Sequence, residues 1–219
     1  LQNVQAIRRD KINCDEEERL RLGFDIRTTM CFAIKQGKTA CSKAEIKLND
    51  KTLAKLTYGD SAYIWRINMG YKKKKKKESE GFWLDVERGY WKKSQDIPDD
   101  YEDDSPTSKN VKLVIPYVSD TKNCLLFEPI ELIKSDSPNY ESIMASLQAA
   151  LKTAIQQVFE LEDDELAAEP LPSKNERRSI LFYEASEGGA GVLKQIMDKK
   201  KFHEVIKAAV ELCHFDSTN

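Results

Sequence analysis

Long apolar runs are missing from this 219-residue chain, and with them the roughly 18 continuous apolar residues that a membrane-spanning helix needs. No basic segment followed by an apolar one stands near Leu1, so no secretory signal is read there. No membrane partner is expected. Cysteine is sparse and irregular: Cys14, Cys31, Cys41, Cys124 and Cys213 are odd in number and contain no CxxC pair. That pattern excludes a disulfide framework and predicts reduced thiols in a cytoplasmic protein. Histidine is scarcer still. His203 and His214 both lie in the last predicted helix, which leaves little for a nucleophile–base pair. Cys213 and His214 are neighbours, but adjacent helical residues point about 100° apart. The chain begins at Leu1 rather than Met, and a fragment of a longer protein is expected.

Net charge is also small, at −2, but it conceals two patches of opposite sign. Lys72, Lys73, Lys74, Lys75, Lys76 and Lys77 form an unbroken run, and Asp99, Asp100, Glu102, Asp103 and Asp104 form an acidic cluster. Lysines in a row neutralise phosphates by counterion release; they also suit a solvated hairpin tip. Hydrophobic residues make up 40% of the chain, enough to build a core for one sizeable domain or two small ones.

The segment RRSILFYEASEGGAGVL, from Arg177 to Leu193, carries the most information. It reads as a buried strand, a turn and the start of a helix, with Gly188, Gly189 and Gly191 at the junction. Without Cβ atoms, backbone N–H groups there can approach a bound group or another segment closely. Glu184 and Glu187 flank the turn. They fit an acid–base pair, or they satisfy backbone groups and pair with Arg177 and Arg178.

The first half has the period of β structure. Strands are predicted over Phe24–Ile34, Ala44–Leu48, Thr52–Tyr58, Ala62–Met69 and Phe82–Val86, with a hairpin turn at Asn49-Asp50-Lys51. A mobile loop is predicted over Lys92–Asn110, and a second hairpin joins Val111–Val118 to Leu125–Ile130 across residues 119–123. The second half changes to helical spacing. A helix is predicted over Asn139–Phe159, then an acidic segment to Glu169, a buried strand over Ser179–Glu184, a helix start over Val192–Met197 and a last helix over Phe202–Phe215. The expected fold class is α+β: an antiparallel, β-rich part over residues 1–135, then a helix, strand, glycine turn and two helices over 136–219.

Two tempting motifs fail. Gly37-Lys38-Thr39 lacks the upstream glycine of a phosphate loop, because Phe32 stands at that position. Asp15-Glu16-Glu17-Glu18 follows no apolar strand, so it is no magnesium-holding acidic box. A closed zinc site generally takes four ligands, and Cys213 with His214 supplies only the beginning of one. For nucleic acid the useful constellation is Trp65, Arg66 and Tyr71 with the six lysines, followed by Phe82-Trp83 and Tyr90-Trp91. Aromatic rings stack bases while cations hold phosphates. By strand alternation, some of these rings face a core instead.

The ordered segments INCDEEERLRLGFDIRTT, SAYIWRINMGYKKK, GFWLDVERGYW, NCLLFEPIE, LQAALKTAIQQVFELEDDELAAEPLP and RSILFYEASEGGAGVLKQI resemble one family. It is the domain that follows the motor of large bacterial DEAD/DEAH-box superfamily 2 helicases, the MrfA zinc-binding or MZB domain. Related domains occur in DNA-repair helicases and in phage defence. The resemblance implies DNA as a partner, with RNA left open, and docking to helicase motor domains. It implies zinc in the full-length protein, held by cysteines after the last helix, of which Cys213 is the only one here. ATP and magnesium belong on a motor that this chain lacks, so no enzyme activity is expected of the chain alone. Two other readings remain: a stand-alone phosphate-binding enzyme built on the glycine turn, and a structural docking module.

Overall fold

Leu48 pairs with Lys51 across a two-residue loop, and both loop residues, Asn49 and Asp50, have positive φ. A type I′ turn demands that backbone, and Asn and Asp tolerate it better than most residues. The expected hairpin is therefore present, with a loop one residue shorter at its C-terminal end. In this computed structural model, the described residues are 23–35, 38–71, 80–92, 110–131, 133, 137–173, 176–185 and 191–215. The elements are β1 (Phe24–Cys31), β2 (Ile34–Lys35), β3 (Lys38–Thr39), β4 (Ser42–Leu48), β5 (Lys51–Tyr71), β6 (Phe82–Asp85), β7 (Tyr90–Lys92), β8 (Val111–Val114), β9 (Tyr117–Pro129), α1 (Tyr140–Phe159), β10 (Leu166–Ser173), β11 (Glu176–Glu184), α2 (Val192–Gln195) and α3 (Lys199–Leu212). The class is α+β, as expected. The chain divides into two compact units, residues 1–27 with 66–118 and residues 28–65 with 119–219. The change of sequence period near residue 135 falls inside the second.

The second unit is organised by a sheet in the order β1-β5-β9-β11-β10, with β4 also on β5. Alternation along β11 separates two cores. Ile180 and Phe182 enter a large cluster beneath the helices, and Leu181 and Tyr183 enter a smaller one on the opposite face. On β5, Ala54, Leu56 and Tyr58 belong to the large cluster, but Ala62 and Ile64 belong to the small one. Residues of equal parity have changed faces. Between them stands Ser61 at φ 58°, an irregularity that shifts the pleat by one residue. The two strands expected at Thr52–Tyr58 and Ala62–Met69 are thus one strand of 21 residues. Gly59 is no turn residue either: a Cβ there would lie 2.4 Å from Cδ1 of Phe32, so glycine makes room for that ring.

The hairpin expected across residues 119–123 is also absent. Chain segment 117–129 is the single strand β9, and β8 pairs with β6 instead. The polar residues there have strand work to do: the Asn123 side chain bonds to both neighbouring strands. Strand β10 went unforeseen because Pro170 and Pro172 argue against a ladder. It lies at the end of the sheet order, where a missing N–H costs little. Helix α1 buries Met144, Leu151, Ala154 and Ile155 and packs on α3, β10 and β11. Gln148 links it to both strands, donating to the Ala168 carbonyl at 2.8 Å and accepting from Arg177 at 2.8 Å. Helix α3 begins at Asp198, whose carboxylate accepts from the N–H groups of Lys200 and Lys201.

The first unit contains a three-stranded sheet, β7-β6-β8. Phe82 opposes Val114, and Leu84 opposes Trp91, placing Phe82 and Trp91 on one face. There Phe82 meets Trp91 at 5.7 Å and Tyr71 at 5.6 Å, and Tyr71 meets Phe24 at 4.8 Å between ring centroids. The small sheet is held by aromatic contacts.

Candidate nucleic-acid interface

Beyond the Ser61 irregularity, β5 points Ala62 and Ile64 inward, so Tyr63 and Trp65 point the other way. Their rings stack at 6.0 Å with planes 27° apart. Tyr63 is exposed and Trp65 half-buried, and Trp65 belongs to neither buried cluster of the described residues. Sequence reasoning selected Trp65 but not Tyr63; the i, i+2 spacing on one strand face was the available signal. Arg66 is exposed. Tyr71 is exposed too, although its ring also serves the aromatic cluster of the first unit. Lys72 to Lys77 lie outside the described residues, as do residues 93–109 of the loop expected over Lys92–Asn110.

At the far end of β11, Glu184 is buried. One carboxylate oxygen accepts from Leu193 N at 3.0 Å, and the other from Gly191 N and Asn123 Nδ2, both at 3.2 Å. Glu184 thereby satisfies the N–H groups that open α2, which no preceding turn can satisfy. Among the described residues, the Glu184 carboxylate therefore already occupies the amides of Gly191 and Leu193. Gly191 has φ 70°, a backbone that glycine adopts freely. Lys122 secures the other side of the turn, donating to the Ala185 carbonyl at 2.5 Å. Glu187, Gly188 and Gly189 lie outside the described residues.

Asn123, unmarked by any motif, connects the strands. Its Oδ1 accepts from Ser61 N at 3.3 Å while its Nδ2 donates to Glu184, so β9 links β5 to β11 at this level. Next to it, burial pushes the Cys124 thiol up to about 12, and the negative charge of Glu184 adds to the effect. Burial likewise raises the Tyr58 phenol, helped by its hydrogen bond to Asp60 at 2.5 Å. Such groups stay protonated near neutrality and provide no nucleophile. On the opposite face, Glu169 accepts from Tyr183 at 2.7 Å and from Thr28. Since Thr28 lies on β1 and Glu169 on β10, this contact joins the two ends of the sheet order.

Residues 147–216 match the MZB family, the MrfA Zn-binding domain. The resemblance read from the sequence is shown over that segment. The MZB segment runs from within α1 through β10, β11 and α2 to the end of α3, and so contains Glu184, Gly191 and Cys213. A solved structure titled "Crystal Structure of DUF1998 helicase MrfA bound to DNA" is similar at 10% identity and a TM-score of 0.46, over 86% of this chain. The chain spans 20% of that protein's length. No curated protein matches. The MZB description names zinc, yet among the described residues no group of three or more His, Cys, Asp or Glu could hold a metal. Cys213 is exposed at the end of α3 beside His214, and these two fall short of a structural zinc site. Among the described residues, no helix is long and apolar enough to cross a membrane.

Proposed function

We propose that this chain is an accessory part of a DEAD/DEAH-box DNA helicase, supplying nucleic-acid contacts and docking to the motor domains. The match of residues 147–216 to the MZB family carries this reading. Trp65, Arg66, Tyr71 and Lys72 to Lys77 make the contacts, with the lysines supplying the salt-dependent share of affinity. Catalysis belongs to motor domains elsewhere, where ATP and magnesium bind. Zinc is held in the full-length protein, with Cys213 as one ligand. The setting is cytoplasmic DNA repair or phage defence.

The phosphate-binding enzyme reading loses its support at Glu184, whose oxygens are committed to Asn123, Gly191 and Leu193. A docking module without nucleic-acid affinity is favoured by one observation, the exposed apolar side chains of the first unit. Fluorescence anisotropy with labelled DNA across a salt series separates the two. The helicase-accessory reading expects binding that weakens steeply with salt. Replacing all six lysines by Gln should weaken it further and flatten the salt slope. Absence of binding at low salt would leave docking alone.

A further inference from the structure

We propose that a pocket beside the smaller core of the second unit binds a small amphiphilic carboxylate, an acid head on an apolar chain. The pocket encloses about 370 Å³, within the roughly 300–1,000 Å³ usual for small-molecule sites. One wall comes from Thr29 and Met30 of β1, the other from Leu171 and Pro172 of β10 and Arg178 and Ser179 of β11. Leu126, on β9 between them in the sheet order, also lines it. Met30 and Leu171 pack against the smaller cluster, whereas Leu126 is half-buried and belongs to neither cluster. Close by, the bond from Thr28 to Glu169 ties β1 to β10. All of these residues belong to the second unit.

A bulge brings a cation to this pocket. Leu171 pairs with Ser179 but Pro172 with Arg177, so Arg178 is an extra residue on β11. Plain alternation would send Arg178 beneath the helices with Ile180 and Phe182. Instead Arg177 takes that face, donating to Gln148 and lying 3.9 Å from Glu141, both on α1, while Arg178 lines the pocket. Bulges re-aim side chains in this way. Arg178 pairs with Glu176 in an ion pair exposed on both sides, a weak contact that a ligand carboxylate can displace. The Ser179 hydroxyl is half-buried and has no hydrogen-bond partner among the described residues, which leaves it available to the same carboxylate.

The lining selects the occupant. Pro170 and Pro172 remove two N–H donors from β10, so this edge does not take up an added peptide strand. A guanidinium presents a planar fork that matches a carboxylate with two parallel hydrogen bonds. Arg178 is the one cation lining the pocket, which suits a singly charged head. Met30, Leu126, Leu171 and Pro172 give an alkyl chain apolar contact.

The test titrates the full chain with decanoate by calorimetry, beside decanol and acetate. Decanoate should bind saturably at one site, decanol more weakly, and acetate not at all. Arg178→Gln should weaken decanoate about tenfold and leave decanol unchanged. Thr29→Trp places a large ring at the pocket wall and should weaken both. Arg178 and Thr29 are exposed, so neither variant should move the urea midpoint. Methyl NMR gives the location: decanoate should shift Met30 and Leu126, and leave Leu113 and Ile115 of the first unit unmoved. Absence of saturable decanoate binding overturns the proposal. So does equal decanoate affinity in Arg178→Gln, which would remove the carboxylate from the reading. Shifts confined to Leu113 and Ile115 would mean adsorption on exposed apolar side chains, and would overturn it as well.

Discussion

The two units spend their apolar residues differently. In the second, helices α1, α2 and α3 cover the sheet, and Phe182, Leu125, Ile180, Leu193 and Val205 are almost completely buried. In the first, Ile26, Tyr71, Val86, Tyr90, Leu113, Ile115, Tyr117 and Val118 are exposed, eight of the fifteen such residues described. Single exposed apolar residues are ordinary, but among the described residues they concentrate in the smaller unit. The second unit buries its apolar residues and the first leaves many of them exposed. Core substitution should therefore be costly in one and surface substitution nearly silent in the other. Phe182→Ala should lower unfolding free energy by about 3–5 kcal/mol, and Tyr117→Ala should stay within about 0.5 kcal/mol. Urea unfolding of both variants tests the contrast. Equal losses would mean that Tyr117 packs as a core residue and that the units do not differ in this way.

A smaller effect probes how the second unit holds its shape at a polar point. Glu184→Leu removes the acceptor for Gly191 N, Leu193 N and Asn123 Nδ2, leaving donors in a buried site. The expected loss is about 1–3 kcal/mol. Native-state hydrogen exchange should show Leu193 losing protection, while amides of the β6–β8 ladder keep theirs. Unchanged exchange at Leu193 would mean that the turn needs no carboxylate.

Helix capping gives a finer measure of the same unit. Asp198 accepts from Lys200 N at 2.9 Å and Lys201 N at 3.2 Å. Asp198→Ala should cost about 1 kcal/mol, read as a shift of the urea midpoint with unchanged slope. A change in slope would show that α3 frays and no longer unfolds with the sheet.

Both units were legible where local chemistry decides. Helical spacing placed α1 almost to the residue, and Asn49-Asp50 announced its hairpin. The same local reading failed wherever a polar residue was employed by a distant strand. Residues 119–123 look like a turn, yet Asn123 is held from both sides by Ser61 and Glu184, 62 and 61 positions away. Gly59 falls between two predicted strands, yet it lies within β5 and accommodates Phe32. Strand β10 carries two prolines that argue against it, and only its place at the sheet edge permits them. For the candidate interface, composition pointed to Trp65. Tyr63 shares its strand face by i, i+2 spacing, but that this face is the one away from the smaller core follows from Ser61, where the pleat shifts.

A last expected effect, confined to alkaline pH, concerns charge at the junction of β9 and β11. Cys124 has its thiol pushed from 9.0 to about 12 by burial and by the nearby Glu184. Above pH 9 the unfolded chain releases this proton while the folded chain keeps it, so folding is progressively disfavoured between about pH 9 and 12. Below pH 9 both states hold the proton, and the group contributes no pH dependence. Tyr58, also raised by burial, acts in the same direction at higher pH. Cys124→Ala should therefore show a shallower fall in urea midpoint between pH 8.5 and about 10.5 than the native chain, whatever its stability at neutral pH. Thiol labelling should agree: exposed Cys31 and Cys213 react in the folded protein at neutral pH, and Cys124 reacts only after unfolding. Parallel alkaline profiles together with rapid labelling of Cys124 would show that this junction opens on its own. The contrast between a closed second unit and an open first one would then no longer hold at its most buried thiol.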